Sequence, residues 1–230
     1  MKSSNIISKN KKIGLIIYGR TNSKRFPNKI ITKLNNGKKL LEFILERVKK
    51  SKFQKNIIIA TTKKENDKKL KNICKFYKIN FFEGSENNVF LRTQKCIDKF
   101  KLDYFARICA DRPFFDVRLM DKMIKILLNN NYDIVTNTFT KNYPKGLACE
   151  VAKTSIFLNV KSNSLSKNNK ENIFNFFYKK KNYKILNFKS NFKKKFIQKN
   201  FSIDRKSELK KTNKIINNLK KNNLNLTTSS

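Results

Sequence analysis

The chain has 230 residues, with 54 Lys and Arg against 16 Asp and Glu, no His, and a formal charge of +38. The missing His excludes a Ser-His-Asp triad, a Cys-His pair and His-ligated zinc, so acid–base work falls to carboxylates, Lys, Tyr or the substrate itself. Hydrophobic residues make up 39%, including 20 Phe, which supplies a core and argues against wholesale disorder.

Residues 1–12 are polar and are expected to form a loose tail. Residues 13–18 are an apolar run without polar alternation, as in a strand covered on both faces. A polar loop, 19–29, follows. Leu40, Leu41, Ile44, Leu45 and Val48 then recur at helical spacing, with Lys49 and Lys50 at the end where positive charge suits the helix dipole. The alternation continues with a strand at 56–60, a helix at 65–77, a strand at 79–82, a helix at 87–100, a strand at 103–109, a helix at 116–130 and a strand at 133–136. Strand–helix units of this size predict a parallel sheet wrapped by helices. Beyond residue 140 the pattern loosens. Residues 162–172 read as a polar loop leading into a helix, 183–188 as strand-like, 201–204 as extended and 207–219 as a terminal helix. Residues 223–230 read as a frayed end. A single domain over 13–222 is expected.

Of the basic residues, 46 are Lys and 8 are Arg, beside 33 Asn. An AT-rich genome imposes that mixture on any protein. The excess is also spread out, with 34 basic and 13 acidic residues in 1–150 and 20 and 3 in 151–230. A nucleic-acid footprint is a local patch or stripe, so no specific nucleic-acid partner is expected, and a basic nucleic-acid-binding protein is the remote alternative. Cys74, Cys96, Cys109 and Cys149 form no CxxC pair and fit a reducing compartment. No stretch reaches the ~18 apolar residues of a membrane span, and no signal-peptide core opens the chain. The expectation is a cytoplasmic protein without a membrane partner.

In an open α/β sheet, ligands bind at the carboxyl ends of the strands. The loop after the first strand holds Gly19, Arg20, Thr21, Asn22, Ser23, Lys24, Arg25, Pro27 and Lys29. Fixed cations, hydroxyls and backbone N–H groups on one loop are what a triphosphate needs. Arg takes two phosphate oxygens at once and Lys acts as a point charge. The loop is neither a Walker A loop nor GxGxxG, and a solvated basic loop is the competing reading. Asp111, after the strand at 103–109, is placed to hold Mg2+ bridging phosphate oxygens; a helix cap or a pair with Arg112 competes. Asp204 is a second candidate ligand, with capping as its alternative. Glu150 is a third acidic candidate, with a buried-strand salt bridge as its alternative.

These blocks together resemble the cytidylyltransferases that activate acidic sugars, in particular the spore-coat polysaccharide biosynthesis protein F type, related to the acylneuraminate and 3-deoxy-manno-octulosonate cytidylyltransferases. Arg20, Ser23, Arg25, Pro27 and Lys29 match the family's Ala-Arg-x-Gly-Ser-x-Arg-Leu-Pro-x-Lys in register. Further matches follow in order: Leu40-Leu41-Glu42 with Arg47, Ile58 to Thr62, Gly84-Ser85-Glu86 with Val89 and Arg92, Arg107 to Pro113, Asn137-Thr138, Tyr143-Pro144 with Gly146-Leu147 and Glu150-Val151, and Ser202-Ile203-Asp204. Asn22 and Asn28 stand where the family carries Gly, and Asn tolerates left-handed backbone better than most residues. Ala148 stands where it carries Asp, Asn172 where it carries His, and Arg112 where it carries a small residue.

The resemblance implies a Rossmann-like three-layer α/β/α nucleotidyltransferase fold with a mostly parallel sheet. It implies transfer of CMP from CTP to a sugar or sugar acid with release of pyrophosphate. Arg20, Arg25 and Lys29 would hold the triphosphate, with Gly19 and Ser23 beside them. Asp111 and Asp204 would hold Mg2+. Thr61, Ser85 and Arg92 would line the base and ribose pocket, and Tyr143 and Glu150 would face the sugar. Related enzymes are often homodimers. A degenerate member that binds nucleotide or sugar without turnover is the alternative that Ala148 and Asn172 motivate.

Overall fold

The apolar run at the start makes β1 (Ile13–Tyr18), and all six residues are buried. A computed structural model describes residues 11–222. The expectations for residues 1–10 and 223–230 lie outside the described residues. In chain order there follow α1 (Leu40–Val48), β2 (Ile57–Thr62), α2 (Lys69–Tyr77), β3 (Asn80–Gly84), α3 (Val89–Phe100), β4 (Tyr104–Cys109), α4 (Val117–Asn129), β5 (Ile134–Thr136), β6 (Glu150–Lys153), α5 (Thr154–Leu158), α6 (Lys167–Glu171), α7 (Asn175–Tyr178), β7 (Ile185–Asn187), α8 (Lys194–Ile197) and α9 (Lys206–Lys221).

The strands form one sheet in the order β3-β2-β1-β4-β6-β5-β7. All neighbours pair in parallel except β6, which runs antiparallel to β4 and β5. Successive side chains leave a strand on opposite faces, and β1 shows the result. Leu15 and Ile17 join a core with α1, α2, α4 and α9, whereas Ile16 and Tyr18 join a second core with α3, α5 and α7. The sheet is therefore the middle of three layers. The second core is aromatic: Phe157 packs against Phe90, Phe105, Phe174 and Phe177, with ring centroids 4.6–5.3 Å apart. Each such burial contributes on the order of 2 kcal/mol.

Four local outcomes differ from the sequence reading. The helix expected from residue 65 opens as a 3-10 turn, Glu65–Lys68, because the Asp67 side chain turns back to bond the preceding loops. The strand-like stretch at 183–188 is shortened to β7. Residues 201–204 form no strand; a single bridge lies just before them, Asn200 with Lys145. β6 went unrecognised, because four residues are too few for a period-two pattern. Among the described residues no helix is long and apolar enough to cross a membrane.

Candidate active site

The chain leaves β1 for β2 on one side and later returns to β4 on the other, so the strand order reverses direction at β1. Such a switch point leaves a crevice beyond the carboxyl ends of the strands. Tyr18 pairs with Cys109 across it, and the Ala110 N–H donates to the Tyr18 carbonyl at 2.9 Å. Gly19 is needed here: a Cβ would stand 2.8 Å from the Ala110 Cβ. The crevice is an open cleft of about 220 Å³, lined by Gly19, Arg20, Ser23, Arg25 and Lys29 of one loop together with Arg92, Arg107, Asp111, Glu171 and Asp204.

The basic loop is held by an acid outside the cleft. The Thr21 N–H and hydroxyl both donate to Asp67 Oδ1 at 2.7 Å, and the Thr62 N–H and hydroxyl donate to Asp67 Oδ2. Asp67 has no exposed surface. Burial alone pushes its pKa up, but the hydrogen bonds from Thr21 and Thr62 outweigh it and hold the carboxyl below its ordinary value. The Thr21 carbonyl in turn accepts from Ser23 and Asn28 N–H. Asn28 takes φ 57°, the left-handed geometry expected of it, whereas Asn22 is not left-handed. Phe26 and Ile30 anchor the loop in the core.

Lys29 then reaches across the cleft. Its Nζ donates to Asp111 Oδ2 and to the Ile203 carbonyl, each at 2.9 Å, and lies 3.6 Å from Asp204 Oδ1. Arg25 Nη2 also meets Asp204 Oδ1 at 3.0 Å, and Lys145 Nζ meets Asp204 Oδ2 at 2.7 Å. Burial pushes the Asp204 carboxyl up, yet Lys145, Lys29 and Arg25 together hold it below its ordinary value. Neither aspartate caps a helix. Asp204 precedes α9, where Glu208 accepts from the Asp204 and Arg205 N–H groups. Arg112 turns away from Asp111 to the Ala148 carbonyl at 3.3 Å. Gly146 lets the Asp204 segment in. It has φ +98°, and a Cβ there would stand 2.5 Å from the Phe201 carbonyl carbon.

The other candidates are dispersed. Arg92 is buried, donates to the Ser85 carbonyl at 2.6 Å and lines the cleft. Ser85 does not line it; its hydroxyl accepts from Asn88 N–H. Thr61 is wholly buried at the end of β2, also off the cleft. Tyr143 stacks edge-on to Phe192 at 5.5 Å, away from the cleft. Glu150 lies behind it in a buried-strand ion pair, accepting from Arg107 Nη1 at 2.8 Å and from the Tyr178 hydroxyl at 2.9 Å. Burial by itself would hold Tyr178 protonated, and the adjoining Glu150 pushes its pKa further up. Sequence reasoning missed Asp67, Lys145, Glu171 and the position of Arg107 in the cleft wall. A buried Asp five residues after a strand-end Thr was the one signal in sight.

The donor set for a cation is all oxygen. Asp111 and Asp204 meet at one ammonium beside an opening wide enough for phosphate, which suits Mg2+, an ion that takes one or two carboxylates with water and phosphate oxygens. Among the described residues no group of three or more His, Cys, Asp or Glu could hold a metal unaided, so the two aspartates fit the ion only in company with phosphate or water.

Known proteins resemble this chain in sequence and in fold. The family model described as cytidylyltransferase matches residues 15–228. The chain is 37% identical over 167 residues to an uncharacterized protein of Methanocaldococcus jannaschii, covering 73% of this chain and 67% of that one. It is 32% identical over 149 residues to the spore coat polysaccharide biosynthesis protein SpsF of Bacillus subtilis, covering 63% of this chain and 60% of that one. The chain thus spans about two thirds or less of these relatives' length. Its fold is similar to that of a cytidylyltransferase from Leptospira borgpetersenii, with a TM-score of 0.82 and 24% identity over 96% of this chain and 98% of that one.

Proposed function

The chain belongs to the cytidylyltransferase family, and on that premise we propose that it transfers CMP from CTP to a hydroxyl of a sugar or sugar acid, releasing pyrophosphate, to supply a surface polysaccharide or glycan. One observation carries this reading: Arg20, Ser23, Arg25 and Lys29 from a single loop converge with Asp111 and Asp204 in the β1–β4 crevice. A triphosphate fits these forked and point charges. Arg20 is available to it, having no hydrogen bond or ion pair among the described residues.

The acceptor oxygen attacks the α-phosphorus, the bond to the oxygen bridging to the β-phosphate breaks, and its electron pair leaves with pyrophosphate. The chain contributes position and charge. Lys29 and Arg25 stand where negative charge would gather on the leaving group. Arg92 stands toward the nucleoside. Of the cleft carboxylates, Glu171 makes no ion pair among the described residues, which leaves it to receive the hydroxyl proton. Asp111 and Asp204 would hold a divalent cation, which when bound supplies Lewis-acid polarisation of phosphate oxygens.

A second reading, binding without turnover, draws on two positions. Ala148 offers only its carbonyl, already bonded to Arg112, and Asn172 is exposed and bonded to Asn168. Pyrophosphate release with CTP, Mg2+ and a panel of nonulosonic and octulosonic acids separates the two. Release that disappears in Asp111→Ala, with the fold retained, is the expected result. CTP binding without release for any acceptor favours the second reading.

A further inference from the structure

The two aspartates that would hold a cation are already neutralised by the chain itself. Three side-chain cations meet two carboxylates: Lys29 lies against both, and Arg25 and Lys145 lie against Asp204. Both Asp204 oxygens are taken. The Lys29 ammonium donates to Asp111 Oδ2 and to the Ile203 carbonyl and lies 3.6 Å from Asp204 Oδ1, within ion-pair range. A divalent ion needs carboxylate oxygens at about 2.0–2.1 Å. To take them it has to displace the ammonium between them, and like charge on Lys29, Arg25 and Lys145 weakens its hold. Lys29 and Arg25 are also the groups aimed at the triphosphate. Lys145 differs from them. It comes from the loop between β5 and β6, its side chain is 61% exposed, and it does not line the cleft.

From this we infer that Lys29, Arg25 and Lys145 form a cation cage that keeps divalent metal off Asp111 and Asp204 until a triphosphate draws Lys29 and Arg25 away. Metal and nucleotide then load together, and Lys145, a positioning residue acting through Asp204, sets how strongly the metal is held off beforehand. The inference rests on the proposed nucleotide reading and adds to it an order of loading. Metal and nucleotide are then positively coupled, and by linkage each raises the other's affinity by the same factor.

The test is Mn2+ binding to the full chain without nucleotide, read from the free-ion electron paramagnetic resonance signal, beside CTP binding by calorimetry with and without metal. Lys145→Met should strengthen Mn2+ binding about 10-fold, within the usual range of coupling between sites. Lys145→Arg should behave as the wild type. Lys141→Met, which removes the same charge from the same loop, should change Mn2+ affinity less than about 2-fold, since a screened surface charge acts weakly at a distance. In an Asp204→Asn background, Lys145→Met should have no effect. CTP should bind without metal, and more tightly with it. If CTP binds but Mn2+ alone binds wild type and Lys145→Met equally, the cage is refuted and the nucleotide reading stands. If CTP binds neither with nor without metal, both fall.

Discussion

Removing the Asp67 carboxylate tests the claim that an acid outside the cleft holds the cationic loop after β1 in place. Asp67→Ala deprives four donors of their acceptor: the N–H and hydroxyl of Thr21 and of Thr62. The hydroxyls can rotate to other acceptors, so the lasting losses are the two N–H groups. A buried donor left unsatisfied costs about 1–3 kcal/mol. The Thr21 bond at 2.7 Å belongs at the upper end and the Thr62 bond at 3.3 Å at the lower. The expected destabilisation is about 3–4 kcal/mol, offset in part by relief from burying a charge. Urea unfolding would read the stability, and calorimetric titration with CTP would read the loop. Affinity should fall at least about 10-fold, because the loop that carries Arg20, Arg25 and Lys29 loses its tether. The sign with pH follows from the lowered pKa. The contribution is fully present above the unfolded carboxyl value of about 3.9 and is lost as pH falls through the folded value. The stability gap between wild type and Asp67→Ala should therefore be constant from about pH 8 to 5 and narrow in stronger acid. A gap below about 1 kcal/mol, with unchanged CTP affinity, would refute the tether.

Lys29→Met removes the ammonium between Asp111 and Asp204 and should lower pyrophosphate release in steady-state assays by about 10²–10³-fold, the loss usual for one charge-stabilising donor. Gly146→Ala places a Cβ against the Phe201 backbone at a positive φ; it should cost about 1–3 kcal/mol in denaturant unfolding and lower turnover by shifting Asp204. Glu150→Gln leaves Arg107 buried without its partner charge and should cost about 3–5 kcal/mol, whereas Arg107→Met with Glu150→Gln should recover much of it in a double-mutant cycle.

The strands and helices up to residue 136 were legible because unbroken apolar runs and helical spacing report which faces are covered. The cationic loop after β1 was legible because its cations and small polar residues are contiguous, and Asn28 because a left-handed position selects few residue types. The antiparallel β6 was not: a face pattern four residues long specifies no partner. The positions of Thr61, Ser85, Tyr143 and Glu150 off the cleft were hidden for a related reason. Sequence order names the strand end a residue follows, but not the direction in which its side chain leaves.

What the sequence by itself determined was therefore local: the repeated strand–helix units, the cationic loop at a strand end, and the exclusion of every mechanism that needs His. Tertiary structure alone decided the charge balance. Lys29 meets Asp111 across 82 residues and the Ile203 carbonyl across 174, and Asp67 meets Thr21 across 46. An excess of +38 says how much charge the chain carries. Which cation faces which carboxylate, and so which charges are free to meet a phosphate, is set by the crossing at β1 and β4, because Coulomb attraction depends on separation in space and composition carries no record of it.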